Sequence, residues 1–281
     1  MEIEIGFSPC PNDTFIFDAL VNAKIDTGIF TFKPVLADVQ TLNNWAISNK
    51  LAVTKISYGV LPLVTKTYSV LNAGSALGNG VGPLLISKFL TQKDAQQFEQ
   101  PVAIPGENTT ANLLFSLAYP GQQRKSFMKY SEIEDYVLHG RGNGVIIHEN
   151  RFTYAEKGLY KIIDLGDYWE QTTGNPIPLG GIVVRRSMET AMQMEIDALI
   201  RKSIAYAFDT YPDLAPYVAE HSQEMSEEVM RKHIDLYVNN FSLHLGEVGR
   251  TAIAQLVEVY CNTHNLQEDE IGLHFVNFPL L

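Results

Sequence analysis

Cysteine is nearly missing from this chain: Cys10 and Cys261 are the only two in 281 residues. Two thiols cannot build a disulfide framework, and they give no paired metal-ligand spacing. Long apolar runs are missing as well, with nothing approaching the ~18–20 consecutive apolar residues that cross a bilayer. Positive charge is in the minority, 21 Lys and Arg against 32 Asp and Glu, for a formal net charge of -11. Nucleic acid and anionic membrane both require clustered cations, so neither is expected as a partner. A small anionic substrate stays open, because a local donor-rich pocket can hold an anion on an acidic protein. The opening MEIEIGFSPC has no basic stretch, no apolar stretch and no small-residue cleavage site. A cytoplasmic protein with reduced thiols is expected. There is no internal repeat and no low-complexity tract.

What is present is a 46% hydrophobic content organised in short alternating segments. EIEIGFS alternates like a strand, Pro11 can precede a helix capped by Asn12 or Asp13, and TFIFDALVNAKI reads as that helix. Asp38 caps a second helix, LAVTKIS reads as a buried strand, GVLPLVTK as a short helix and YSVLNAG as a strand. After GSALGNGVGP come LLISK, a polar helix around residues 91–99, strand PVAIPG, loop ENTT and helix ANLLFSLAY. SEIEDYVLHG reads as a helix opened by Ser131, GVIIHE as a strand, FTYAEKGL as a helix and YKIIDL as a strand. A loop QTTGNPIPLGG then leads into strand IVVRR, and from Met188 onward the pattern is helical.

Two α/β series with a helical C-terminal region imply an α/β protein of two lobes with a cleft between them. The expected lobes are residues 1–85 with 180–281, and an insertion spanning 86–179. Ligands of open α/β sheets sit beyond the carboxyl ends of strands, which directs attention to four loops. SPCPNDT offers Ser8, Cys10, Asn12, Asp13 and Thr14, either lining the site or, for Asn12 and Asp13, capping a helix. Cys10 has no base beside it in sequence, which argues against a nucleophile. TKISYG brings Lys55 and Ser57, whose lysine either enters the cleft or lies exposed on an edge strand. IPGENTTAN sets Thr109 and Thr110 at a helix start, where a carboxylate or phosphate can be seated; one hydroxyl alone suffices for capping. The Walker ending G-K-[ST] is missing there. GNGVIIHEN puts His148 just past a buried strand, and histidine is suited to proton exchange near neutrality. His221, His233, His244 and His264 fall in or beside the helical tail, His139 closes a helix and His274 lies in the C-terminal segment. No histidine or cysteine stands at ligand spacing from His148, so no metal is expected. GNGVGP precedes a strand rather than a helix and is read as a turn, not a dinucleotide loop.

Together GFSPCPNDTFIFDAL, TKISYG, GPLLIS, PGENTTANLL and GVIIHENRFTY resemble the 1,4-dihydroxy-6-naphthoate synthase family of the futalosine route to menaquinone. These stretches run in order over the first two-thirds of the chain, and SPCPNDTF is the most specific. The resemblance implies a two-lobed fold like the type 2 periplasmic binding proteins, with an inter-lobe cleft. It implies cyclic dehypoxanthinyl futalosine as substrate, with 1,4-dihydroxy-6-naphthoate and dihydroxyacetone as products, and no cofactor. By position it implies His148 as proton acceptor and Lys55, Ile56, Ser57, Thr109 and Thr110 as substrate contacts. The substrate's aromatic carboxylate would rest on Thr109 and Thr110 or on Lys55. Cys10 is then a compact residue of a proline-stiffened loop. Rival readings are a cytosolic binding protein for a small aromatic carboxylate, and the chorismate dehydratase of the same pathway. Oligomeric state is not legible.

Overall fold

A computed structural model describes residues 1–90, 98–222, 226–267 and 271–276. The chain divides into two compact units, Met1–Gly78 with Pro178–Leu281, and Asn79–Ile177. The first unit begins with β1 (Glu2–Phe7), α1 (Pro11–Val21), β2 (Thr31–Leu36), α2 (Val39–Ile47), β3 (Val53–Ser57), α3 (Leu61–Val64), β4 (Tyr68–Val70) and β5 (Ala76–Gly78). The second unit carries β6 (Leu84–Ser87), β7 (Val102–Ile104), α4 (Thr110–Ala118), β8 (Lys125–Phe127), α5 (Tyr130–Leu138), β9 (Gly144–Ile146), α6 (Asn150–Thr153), β10 (Tyr160–Asp164) and α7 (Leu165–Thr173). The return leg is β11 (Ile177–Arg185), then α8 (Thr190–Thr210), α9 (Pro216–His221), α10 (Glu227–Tyr237), α11 (Asn240–Leu243) and α12 (Gly246–His264).

In the first unit the sheet order is β2-β1-β3-β11-β4, with β5 paired to β11. β1 runs parallel to β2 and β3, whereas β11 is antiparallel to β3. The alternation of EIEIGF buries Ile3 and Ile5 and leaves Glu2 and Glu4 in solvent. α1 is buried along most of its length, and Phe17 stacks on Phe7 with ring centroids 4.3 Å apart. α8 packs against it, burying Ile196, Leu199, Ile200, Ser203, Ile204 and Ala207 at helical spacing. Each fully buried Ile or Leu side chain contributes about 1.5–3 kcal/mol. The buried Ser203 hydroxyl donates to the Ile16 carbonyl at 2.6 Å and accepts from the Leu20 N–H at 3.2 Å.

The second unit has the sheet order β10-β6-β9-β7-β8. Its core gathers Leu84, Ile86, Ala103, Ile133, Val137, Ile146 and Leu159. Gly144 of β9 is an obligatory close approach, since a Cβ there would meet Ile133 Cγ2 at 2.5 Å and Val137 Cγ2 at 2.8 Å.

Several local expectations are corrected. α1 starts at Pro11 with Cys10 at the N-cap, so neither Asn12 nor Asp13 caps it. α5 starts at Tyr130 after Lys129, which places Ser131 inside the helix instead of at its cap. FTYAEKGL is mostly turn, with helix only over Asn150–Thr153. The stretch expected as a loop before IVVRR holds the end of α7 and a strand that already begins at Ile177. Strands β2, β5 and β8 are not legible in the sequence reading, and most of the polar helix expected around 91–99 lies outside the described residues. Asp38 does cap α2, accepting from the Gln40 and Thr41 N–H groups.

Candidate active site

In the first unit, the SPCPNDT turn and strand β3 build one buried polar cluster. Pro11 at the first helical position turns the chain from β1 into α1, and this carries Asp13 inward, only 3% exposed. The Asp13 Oδ2 accepts from the Ser8 N–H at 3.1 Å and the Ser8 hydroxyl at 2.7 Å. Its Oδ1 accepts from Asn12 Nδ2 at 3.0 Å and lies 2.9 Å from the Lys55 ammonium. Lys55 also donates to the Gly74 carbonyl at 2.9 Å. The lysine therefore neither lies exposed on an edge strand nor offers an unmatched charge. β3 is flanked by β1 and β11, and the charge of Lys55 is met by Asp13.

The rest of this cluster is close-packed. The Thr14 hydroxyl donates to the Cys10 carbonyl at 3.1 Å, a bond that turns it back on its own helix. Ile56 is 1% exposed, and across the ladder its carbonyl would stand 2.6 Å from any Cβ at Gly180. The Ser57 N–H donates to Asn43 Oδ1 at 2.9 Å. Cys10 is a buried free thiol whose N–H donates to the Ser8 hydroxyl at 3.4 Å. Nearby, Tyr58 pairs with Ser75 at 2.6 Å, and burial pushes the pKa of its phenol above the ordinary range.

In the second unit, β7 ends at Ile104 and Gly106 adopts φ 151, a conformation open chiefly to glycine. The chain then enters α4, with Thr109 as N-cap: its hydroxyl accepts from the Asn112 N–H and donates to the Gly106 carbonyl at 2.8 Å. Thr110 is the first helical residue, and both threonines are buried. The first turn of α4 carries no acidic side chain of its own, so the positive end of its dipole is not complemented from within that turn.

His148 lies two residues past β9 in a turn, half-buried, with φ 56. Its carbonyl accepts from the Arg151 N–H at 3.2 Å, and its ring lies 4.9 Å from the ring of Tyr130. Arg151 fastens the segment: its guanidinium donates to the carbonyls of Gly80 and Gly82 and to Asp164 Oδ2, the last at 2.6 Å. Asp164 in turn caps α7 through the Gly166 and Asp167 N–H groups. Among the described residues, no three His, Cys, Asp or Glu side chains gather as a metal site.

The structure thus brings Ser8, Asn12, Asp13 and Lys55 into one hydrogen-bonded cluster, with Cys10, Thr14, Ile56 and Ser57 on the same two elements. In the other unit, Thr109 and Thr110 head α4 while His148 follows β9. Residue reading alone missed Asn43, Gly74, Tyr130 and Asp164. These act through contacts distant in sequence, and Arg151 was visible only as part of HENRFTY.

Residues 3–262 match a family model described as menaquinone biosynthesis. The chain belongs to that family. Within it, the chain is 43% identical over 256 residues to a 1,4-dihydroxy-6-naphtoate synthase of Thermus thermophilus, spanning 90% of this chain and 92% of the relative. It is 42% identical over 261 residues to a 1,4-dihydroxy-6-naphtoate synthase of Streptomyces coelicolor, spanning 91% of each. Among solved structures, a protein of Archaeoglobus fulgidus superimposes with a TM-score of 0.87 at 30% identity, covering 94% of this chain and 98% of that one. The periplasmic aliphatic sulphonate binding protein of Escherichia coli gives a TM-score of 0.65 at 10% identity, covering 100% and 95%. This menaquinone-biosynthesis protein therefore has a periplasmic-binding-protein-like α/β fold. No helix among its described residues is long and apolar enough to cross a membrane.

Proposed function

We propose that this enzyme of menaquinone biosynthesis is a cytoplasmic 1,4-dihydroxy-6-naphthoate synthase. It splits cyclic dehypoxanthinyl futalosine into 1,4-dihydroxy-6-naphthoate and dihydroxyacetone, a carbon–carbon lyase reaction. The observation that carries this reading is identity of 42–43% to two synthases over 90% or more of each chain.

In this reading neutral His148 accepts a proton from the substrate. The carbon–carbon bond to the three-carbon fragment then breaks in a retro-aldol sense, its electron pair returns to the ring system as the second ring becomes aromatic, and the proton held by His148 is given back to the products, which resets the base. The two products together account for every atom of the substrate, so no external oxidant or reductant enters. Aromatisation supplies the driving force, and the protein positions the substrate, exchanges protons and excludes water. Lys55, Ile56, Ser57, Thr109 and Thr110 serve as substrate contacts. The ion pair between Lys55 and Asp13 favours the Thr109–Thr110 turn over Lys55 as the seat of the aromatic carboxylate, because a matched charge attracts an incoming anion weakly.

Incubating the purified protein with the cyclic substrate and analysing the mixture by mass spectrometry tests the activity. Appearance of the naphthoate and dihydroxyacetone supports the lyase, whereas recovery of unchanged compound leaves only a binding protein. His148→Asn tests the base. General-base catalysis is worth about 10²–10⁴ in rate, and turnover should fall by at least the lower figure in a folded variant. Near-normal turnover removes His148 from the chemistry.

A further inference from the structure

α5 presents Tyr130, Ile133 and Val137 at positions i, i+3 and i+7, which form one stripe on the helix. The lower two residues of that stripe grip the bare backbone of β9 at Gly144. The third, one turn towards the helix start, reaches the residue four positions further along the chain. There the Tyr130 ring meets the His148 imidazole with centroids 4.9 Å apart and planes at 50°. The helix therefore uses one face for two purposes, fixing the strand and covering the side chain that follows it. A second tie joins the same helix to the chain beyond His148, where Lys157 pairs with the buried Glu134 at 2.6 Å.

His148 is in special need of such support. Its φ of 56 is unusual for a residue with a side chain, and such conformations persist when the surroundings fix them. Its side chain leaves a tight turn and is only half-buried, so the backbone alone does not select one ring orientation. The Tyr130 ring packed against the imidazole narrows the choice, since ring pairs with centroids about 4.5–7 Å apart attract in an orientation-dependent way.

We infer that Tyr130 is a positioning residue for the reaction: its ring holds the His148 imidazole in the orientation that accepts the substrate proton. This deepens the reading of His148 as general base and rests on it. The observed contact is made by the ring, so phenylalanine should replace tyrosine and an aliphatic side chain of similar bulk should not.

The test is a double-mutant cycle on the full chain, with kcat and KM measured separately and circular dichroism confirming the fold. Tyr130→Leu should lower kcat tenfold or more and leave KM within about twofold, while Tyr130→Phe keeps kcat within threefold. In the His148→Asn background, adding Tyr130→Leu should change kcat by less than twofold, because the tyrosine has no imidazole left to orient. A kcat loss below threefold in Tyr130→Leu overturns the inference. So does an equal loss in both backgrounds, or a phenylalanine variant as impaired as the leucine one. If Tyr130→Leu fails to fold, Tyr130→Phe and Tyr130→Trp carry the test, and loss of kcat in both overturns it. Failure of the underlying base assignment is read separately, from His148→Asn alone.

Discussion

The Lys55 ammonium lies 2.9 Å from the Asp13 carboxylate, and neither side chain is more than 7% exposed. The pair welds the turn after β1 to strand β3, and two further donors from Ser8 saturate the far oxygen. Removing one partner of a buried pair strands the other charge, which costs about 3–5 kcal/mol. Asp13→Asn is therefore expected to lower unfolding free energy in urea by that order. The double variant Asp13→Asn with Lys55→Met should recover much of it, because no buried charge is then left unmatched. A single variant as stable as the parent contradicts this account.

Cys10 stands at the N-cap of α1, and its side chain makes no capping bond. Serine is among the preferred residues at that position and is nearly isosteric with cysteine. Cys10→Ser should keep turnover within a few-fold and leave stability unchanged or raise it by up to about 1 kcal/mol. Abolished turnover in a folded Cys10→Ser variant restores a role for the thiol.

How much of this was readable beforehand follows from how far apart the interacting residues lie. The EIEIGF alternation and the Asp38 cap are local patterns, and both took the expected form. Strand β2 escapes because Pro34 and three other exposed residues disguise it, features tolerated only because it is an edge strand. The strand reaching back to Ile177 was hidden by Pro178 and the Gly180–Gly181 pair, which the ladder to β3 nonetheless accommodates. Candidate residues were found because they cluster after strands, but their partners were not. Asp13 reads as a cap or a site-lining residue and Lys55 as a cleft or an exposed ammonium, since nothing in either local stretch reveals a contact across 42 positions of chain. The same holds for Tyr130 and His148, which meet only because α5 folds back along β9.

Arg151 joins the turn after His148 to the segment that leads into β6. Its guanidinium serves the Gly80 and Gly82 carbonyls and the buried Asp164 carboxylate together. Lysine keeps the charge but lacks the planar fork, so it cannot reproduce three separated bonds. Arg151→Lys should cost about 1.5–3 kcal/mol, the value of a hydrogen bond to a charged group. Arg151→Met should cost more, about 3–5 kcal/mol, because Asp164 is left buried and unpaired. Urea titrations of both variants check the order, and equal stabilities argue against the fork.

Stability should also depend on pH through two histidines of the first unit. Burial, then the nearby Arg201, lowers the His244 pKa below its usual 6.5; burial, then Arg186, does the same for His274. The neutral His244 ring is used as such, its Nδ1 accepting from the Gly246 N–H at 2.9 Å, and the His274 Nδ1 lies 2.9 Å from the Ser69 hydroxyl. With the folded pKa depressed, the unfolded chain binds protons first as the solution is acidified. Both contributions are thus fully present above about pH 6.5 and are lost as pH falls towards the folded values. Because both side chains are largely exposed, solvent screening keeps the effect small. The parent should lose more stability between about pH 7.5 and pH 5.5 than the double variant His244→Gln, His274→Gln, the range over which histidine changes charge. Parallel stability profiles for the two proteins would place the titration elsewhere.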